Sequence, residues 1–310
     1  MFNQLSTKRL HLLKAFFLSN YFSIISVLLF SQLSYAQTNY KEEIELWHSN
    51  RIQNLKSEIG WLNLAGLEWL KEGINTVGDQ NNNDVHLPKG TANNQLCKLI
   101  LNHEVVTLIC SSKDSITSND NLLNGSTVVF NPKENIDLQL KHKRIVFFVI
   151  KRGTKIGVRI RNLDSENIKK FAGIPRFDVD INWKIKAQVS IPETPKTVDI
   201  LDVLGNTTKT PIGAILFFTL NGKDCQLIGT KEDDKLFIVF SDNTTGISTY
   251  GSGRFLYVDF PPNSKEVIID FNKAYNPPCA FTPYATCPLP LKENILDAEI
   301  KAGERSYTNH

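Results

Sequence analysis

The chain runs to 310 residues, and several things are scarce in it. Each shortage excludes something. No second long apolar run follows residue 36, so no stable membrane span is expected beyond the N-terminal segment. Histidine is sparse beyond residue 36: His48, His86, His103, His142 and His310 are scattered and sit in no motif. Gly-x-Ser-x-Gly is absent, which leaves a Ser-His-Asp triad without support. Gly-Lys-Ser/Thr is absent too, so Gly246, Gly251 and Gly253 do not form a nucleotide loop. There is no internal repeat and no low-complexity linker. No residue pattern names a cofactor, and Cys-x7-Cys without a nearby histidine is a poor zinc spacing.

What is present first suggests a compartment. Lys8, Arg9 and Lys14 form a basic start, "FSIISVLLF" at 22–30 is apolar, and Ser34 and Ala36 occupy the positions a signal peptidase reads. Residues 1–36 are therefore expected to be a signal peptide, and the mature protein to be periplasmic or extracellular. An uncleaved anchor is the competing reading. Removing 1–36 takes three of the 35 basic residues and none of the 32 acidic ones, leaving 32 against 32. A neutral mature chain carries no net field for nucleic acid, so none is expected as a partner. All five cysteines lie in the exported part, where disulfides are permitted, and the odd count leaves at least one thiol over.

Periodicity then suggests a fold class. In "NYKEEIELWHSNRIQNLKS", residues 38–56, Ile44, Trp47, Ile52 and Leu55 fall roughly on one face of a helix. Beyond it, short apolar or alternating runs recur between turn residues, among them "VVTLIC", "RIVFFVI", "IGVRIRN", "AILFFTL", "KLFIVF" and "EVIIDF". "KRGTK" and "NGKD" place glycine at hairpin turns. The pattern predicts a mainly β protein of two packed, sandwich- or barrel-like units behind an N-terminal helix. The expected division is 37–165 and 166–310, with "LDSENIKKFAG" at the joint as a short helix.

The most unusual stretch is "YNPPCAFTPYATCPLP", residues 275–290. It holds five prolines and two cysteines, Cys279 and Cys287. Five fixed φ angles and five missing donors rule out an interior strand, leaving a stiff loop. The two cysteines either staple that loop or work as a thiol pair, the second requiring a cation or base to lower a thiol pKa.

"DNTTGISTYGSGRFLYVDFP", "IIDFNKAYNPPCAFTPYATCPLP", "KAGERSY" and "IGWLNLAGLEWLKEGINTVG" together resemble the bacterial domain-of-unknown-function 1684 family over nearly the whole mature chain. One extra residue stands near the start of the Asp-x-Thr-x-Gly pattern, as Asp242-Asn243-Thr244-Thr245-Gly246. The resemblance implies membership and no activity.

The residues themselves point to a small anionic ligand. Arg254 offers a planar fork, Thr249 and Tyr250 offer hydroxyls, and the neighbouring glycines allow close approach. A self-contained polar turn is the alternative. Arg159 and Arg161 alternate, so they share a face of their strand. Outward they are merely solvated; inward they need acidic partners, such as Asp164, or an anion. Asp270 and Asn272 end a strand just before Tyr275 and the proline loop, and Glu304 could reach back to Arg254. The expected pocket lies between 242–254 and 275–290. Arg254, Thr249, Tyr250, Asn272, Tyr275, Arg159 and Arg161 would bind there, and Cys279, Cys287, Asp270 and Asp242 are the candidate catalytic groups. A hydrolytic or thiol-based enzyme, a binding module and a disulfide-stapled scaffold all remain open at this point.

Overall fold

A computed structural model describes residues 38–307. The expected signal, 1–36, lies outside these residues, as does His310. Helix α1 spans 38–56. Tyr40, Ile44 and Leu55 are buried and Trp47 is half-buried, giving a stripe at steps of three, four and eight residues. Among the described residues no helix is long and apolar enough to cross a membrane.

Twelve strands follow before the next helix: β1 (Leu64–Trp69), β2 (Gly73–Gly78), β3 (Val85–His86), β4 (Cys97–Asn102), β5 (Val105–Cys110), β6 (Thr117–Ser118), β7 (Asn121–Leu122), β8 (Gly125–Asn131), β9 (Ile136–Asp137), β10 (Leu140–His142), β11 (Ile145–Arg152) and β12 (Lys155–Asn162). They form two six-stranded sheets, β1-β12-β11-β10-β6-β7 and β3-β2-β4-β5-β8-β9. One core fills the space between them, with Val77, Leu99 and Leu108 from one sheet meeting Phe147, Val158 and Ile160 from the other. The run "IDLQL", residues 136–140, is split between the sheets: β9 pairs with β8, and β10 with β11.

Helix α2 (Glu166–Lys170) stands at the expected joint, with Ser165 Oγ accepting from the Asn167 amide at its start. Then come β13 (Lys184–Ser190), β14 (Thr197–Leu201), β15 (Thr207–Leu220), β16 (Lys223–Glu232), β17 (Lys235–Phe240), β18 (Arg254–Asp259) and β19 (Glu266–Asp270). Their sheet runs β18-β17-β16-β15-β13-β19, with β14 as an extra partner of β15, and β18 comes back beside β19 to leave a nearly closed barrel. Its interior is a second core of Leu216, Leu227, Ile238, Leu256, Ile269 and Phe271. Asn221 and Gly222 make the β15–β16 turn, both with positive φ (51° and 77°), which is why that position carries Asn-Gly. The protein is mainly β with an N-terminal helix, as the periodicity predicted.

Candidate anion site

Strand β12 has two buried faces. Ile156, Val158 and Ile160 point into the first core. Gly157, Arg159 and Arg161 alternate with them and lie on the opposite face, and all three are buried. Arg152, at the end of β11, shares this outer face because Phe148 opposes Arg159 and Arg152 opposes Lys155. The face is covered by the C-terminal unit: Arg152 Nε donates to Thr286 Oγ1 at 3.2 Å, and Thr282 Oγ1 donates to the Leu64 carbonyl at 3.3 Å. Gly157 is required by close approach, since a Cβ there would meet the Trp69 ring at 2.7 Å.

The inward alternative for the arginines is thus the one realised, and no acid among the described residues meets them. Asp164, the partner considered from sequence, pairs with Arg144 at 3.2 Å instead. Arg161 donates to the Gly60 carbonyl and, at 2.8 Å, to Asn63 Oδ1, both neutral. Arg159 is only 5% exposed, and its Nε has no hydrogen-bond partner. Its company is the Trp61 ring, 5.5 Å from its guanidinium carbon and 5.9 Å from that of Arg161. Burial, with Arg152 and Arg161 nearby, pushes the Arg159 guanidinium down to about 10. Burial lowers Arg161 as well. A buried cation cluster without a carboxylate is costly unless something negative joins it.

The proline loop roofs this face. Cys279 and Cys287 are joined as a disulfide with Cα atoms 6.2 Å apart, and the Cys279 amide donates to Cys287 Sγ at 3.1 Å. Neither is therefore a free thiol. Cys287 and Ala285 pack with Val239 and Phe255, and Trp61 and Tyr275 border the same cluster. Tyr275 stacks on Tyr257, ring centres 6.3 Å apart and 15° from parallel, and Tyr257 Oη donates to Glu232 at 2.7 Å.

Other candidates occupy different places. Arg254, expected to hold the anion, has no exposed surface. Its Nη2 meets Asp242 Oδ1 at 3.3 Å and the Ile300 carbonyl at 3.0 Å, and its Nη1 donates to the Ala302 carbonyl. Asp242 further accepts from the Thr244 hydroxyl at 2.9 Å and the Ile300 amide at 2.6 Å, and Thr249 Oγ1 lies 3.0 Å from Thr244 Oγ1. Together these groups tie the 242–254 turn to the C-terminal segment, which is the polar-turn alternative in a buried form. Tyr250 borders the apolar cluster of Leu55, Phe171 and Phe281. Asp270 accepts from Tyr40 Oη at 2.7 Å and from the Asn272 amide at 3.1 Å, while Asn272 Nδ2 donates to the Asp180 carbonyl at 2.8 Å. That pair anchors α1 and caps the turn after β19.

Three participants were not legible as site residues. Arg51 of α1 lies over the Tyr275 ring at 4.6 Å, donates to the Asn276 carbonyl at 2.9 Å and pairs with Glu304 at 3.3 Å. Glu304 thus meets Arg51, not Arg254 as the sequence suggested; burial pushes its carboxyl up, opposed by Arg51 and the Asn276 amide. Trp61 and Arg152 are the others. Arg51 continues the buried stripe Tyr40–Ile44–Trp47–Leu55, and a charge in a stripe position was the available signal. A cavity of about 590 Å³ lies elsewhere, lined by His48, Ile52, Ile174, Arg176 and Tyr307, but Arg176 already pairs with Glu45.

The fold is that of a mainly β protein of three sheets behind an N-terminal helix, with a disulfide-stapled loop. The chain belongs to the family described as protein of unknown function (DUF1684), whose model matches residues 169–305, the barrel unit and its loop. The segment at 59–78, included in the sequence resemblance, lies outside that match. An uncharacterized protein of Haloarcula marismortui, solved by solution NMR, is 32% identical over 47% of this chain and 82% of its own, with a TM-score of 0.39. No curated protein matches the chain.

Proposed function

We propose that the protein is an exported, non-catalytic binding module that holds a small anion against Arg159, with Arg152 and Arg161 beside it and the 275–290 loop as its roof. One observation carries the reading: Arg159 is buried with an unpartnered Nε and no carboxylate to neutralise it. A phosphate, sulfate or carboxylate would supply the missing acceptors and charge, and a guanidinium fork suits all three. The thiol-based and hydrolytic readings lose their groups. Cys279 and Cys287 are bonded to each other, and Asp242 and Asp270 are engaged in holding segments together.

The test is calorimetric titration of the purified protein with inorganic phosphate, sulfate and citrate at two salt concentrations. Saturable binding that weakens with salt and falls at least about tenfold in Arg159→Gln is expected, a charge-assisted contact contributing about 1.5–3 kcal/mol. No saturable binding of any of the three, or binding indifferent to Arg159→Gln, overturns the reading.

A further inference from the structure

Three cysteines remain outside the staple: Cys97, Cys110 and Cys225. Two of them face each other. The β4–β5 ladder pairs Asn102 with Val105, Leu101 with Val106, Ile100 with Thr107, Leu99 with Leu108 and Lys98 with Ile109. The next rung of the same register is Cys97 opposite Cys110. Directly opposed residues of an antiparallel pair project to the same side of the sheet, and both cysteines border the first core, Cys97 within it and Cys110 against it.

Rung type settles the reach. A two-residue turn, His103–Glu104, joins the strands, so the flanking pair Asn102–Val105 is the hydrogen-bonded kind. Rungs alternate from there. Cys97–Cys110, five rungs further, is of the non-hydrogen-bonded kind, where Cα atoms lie about 4.5 Å apart and side chains approach most closely. That spacing falls inside the range a disulfide spans, about 4.4–6.8 Å. Cys225 has no such neighbour; its thiol lies 3.7 Å from the Lys223 carbonyl on an unrelated sheet.

We infer that Cys97 and Cys110 form a cross-strand dithiol that a small or protein disulfide oxidises to a second disulfide, leaving Cys225 as the unpaired thiol of the odd count. The half-exposed Cys110 reacts first. Its thiolate attacks one sulfur of the oxidant, forming a mixed disulfide and expelling one thiolate. The Cys97 thiolate then attacks Cys110 Sγ, forms the Sγ–Sγ bond and expels the second. The two cysteine protons end on the two released thiols, and two electrons reduce the oxidant. Burial raises both thiols above their ordinary pKa, so the exchange accelerates as pH rises.

The experiment treats the folded full chain with oxidised glutathione at pH 8.5, quenches with acid and maps peptides without reductant. The expected result is a Cys97–Cys110 peptide, a fall in free thiols from the three cysteines now unpaired to one, and a thermal midpoint on the order of 5 °C higher. Cys225→Ser should oxidise identically, and Cys110→Ala should give no internal bond at Cys97. Cys97 and Cys110 both recovered as thiols, or joined only after denaturation, overturns the inference. So does glutathione left on Cys110 with Cys97 still reduced.

Discussion

Replacing Arg254 by methionine separates a ligand-holding role from a structural one. Methionine keeps most of the stem's apolar volume and deletes the guanidinium. Two main-chain carbonyls, Ile300 and Ala302, then lose their donor, and buried Asp242 loses its cationic partner. Breaking one half of a buried ion pair costs about 3–5 kcal/mol, and the Thr244 hydroxyl and Ile300 amide that still serve Asp242 place the expectation toward the lower end. With an unfolding entropy of about 2 cal/mol/K per residue, the 270 residues spanning 38–307 translate that into a fall of about 5–9 °C. Differential scanning calorimetry of wild type, Arg254→Met and the double variant Arg254→Met/Asp242→Leu is the assay. The double variant should recover much of the loss, because no charge is left stranded. A single variant melting within about 1 °C of wild type refutes the structural assignment and returns Arg254 to the list of ligand contacts.

Arg159→Met should behave in the opposite way: without added anion it removes an unpaired buried cation, so stability should hold or rise by about 1–2 kcal/mol in urea melts, and a loss beyond about 2 kcal/mol would contradict the picture. Cys279→Ser/Cys287→Ser should fold and lose less than about 2.5 kcal/mol in the same melts, because the five prolines already restrict the unfolded loop. Burial, with Arg176 beside it, lowers the His48 pKa below its ordinary value. The unfolded chain then binds that proton more readily, so stability should decline as pH falls through about 6.5. His48→Gln should flatten that part of a pH-dependent melting series.

Strand placement was legible because period-2 alternation reports directly on a half-buried sheet. β5, β11, β12, β17 and β19 lie where their apolar runs predicted, and the Asn221–Gly222 turn lies where its residue types require. β14 and the first half of β15 were not legible: they project at the edge of the barrel, and none of their residues is buried in a core. The closeness of Cys279 and Cys287 could be read from a short, stiff, proline-bound loop. The partner of Arg254 could not. Glu304, fifty residues downstream, was the acid expected to reach it, whereas Asp242, twelve upstream, is the one that pairs with it.

The sequence alone thus determined the class of fold, the hairpin turns and the family, all of which rest on local spacing and short motifs. The tertiary structure decided what the charged residues do. Alternation assigns Arg159 and Arg161 to one face of β12 but is silent on whether that face meets water or protein. The answer depends on a loop some 120 residues away that folds over it and on Trp61 lying between. Burial turns the same two arginines from solvated charges into a cluster that lacks a counter-ion, and burial is a property of packing between distant segments, not of neighbours along the chain.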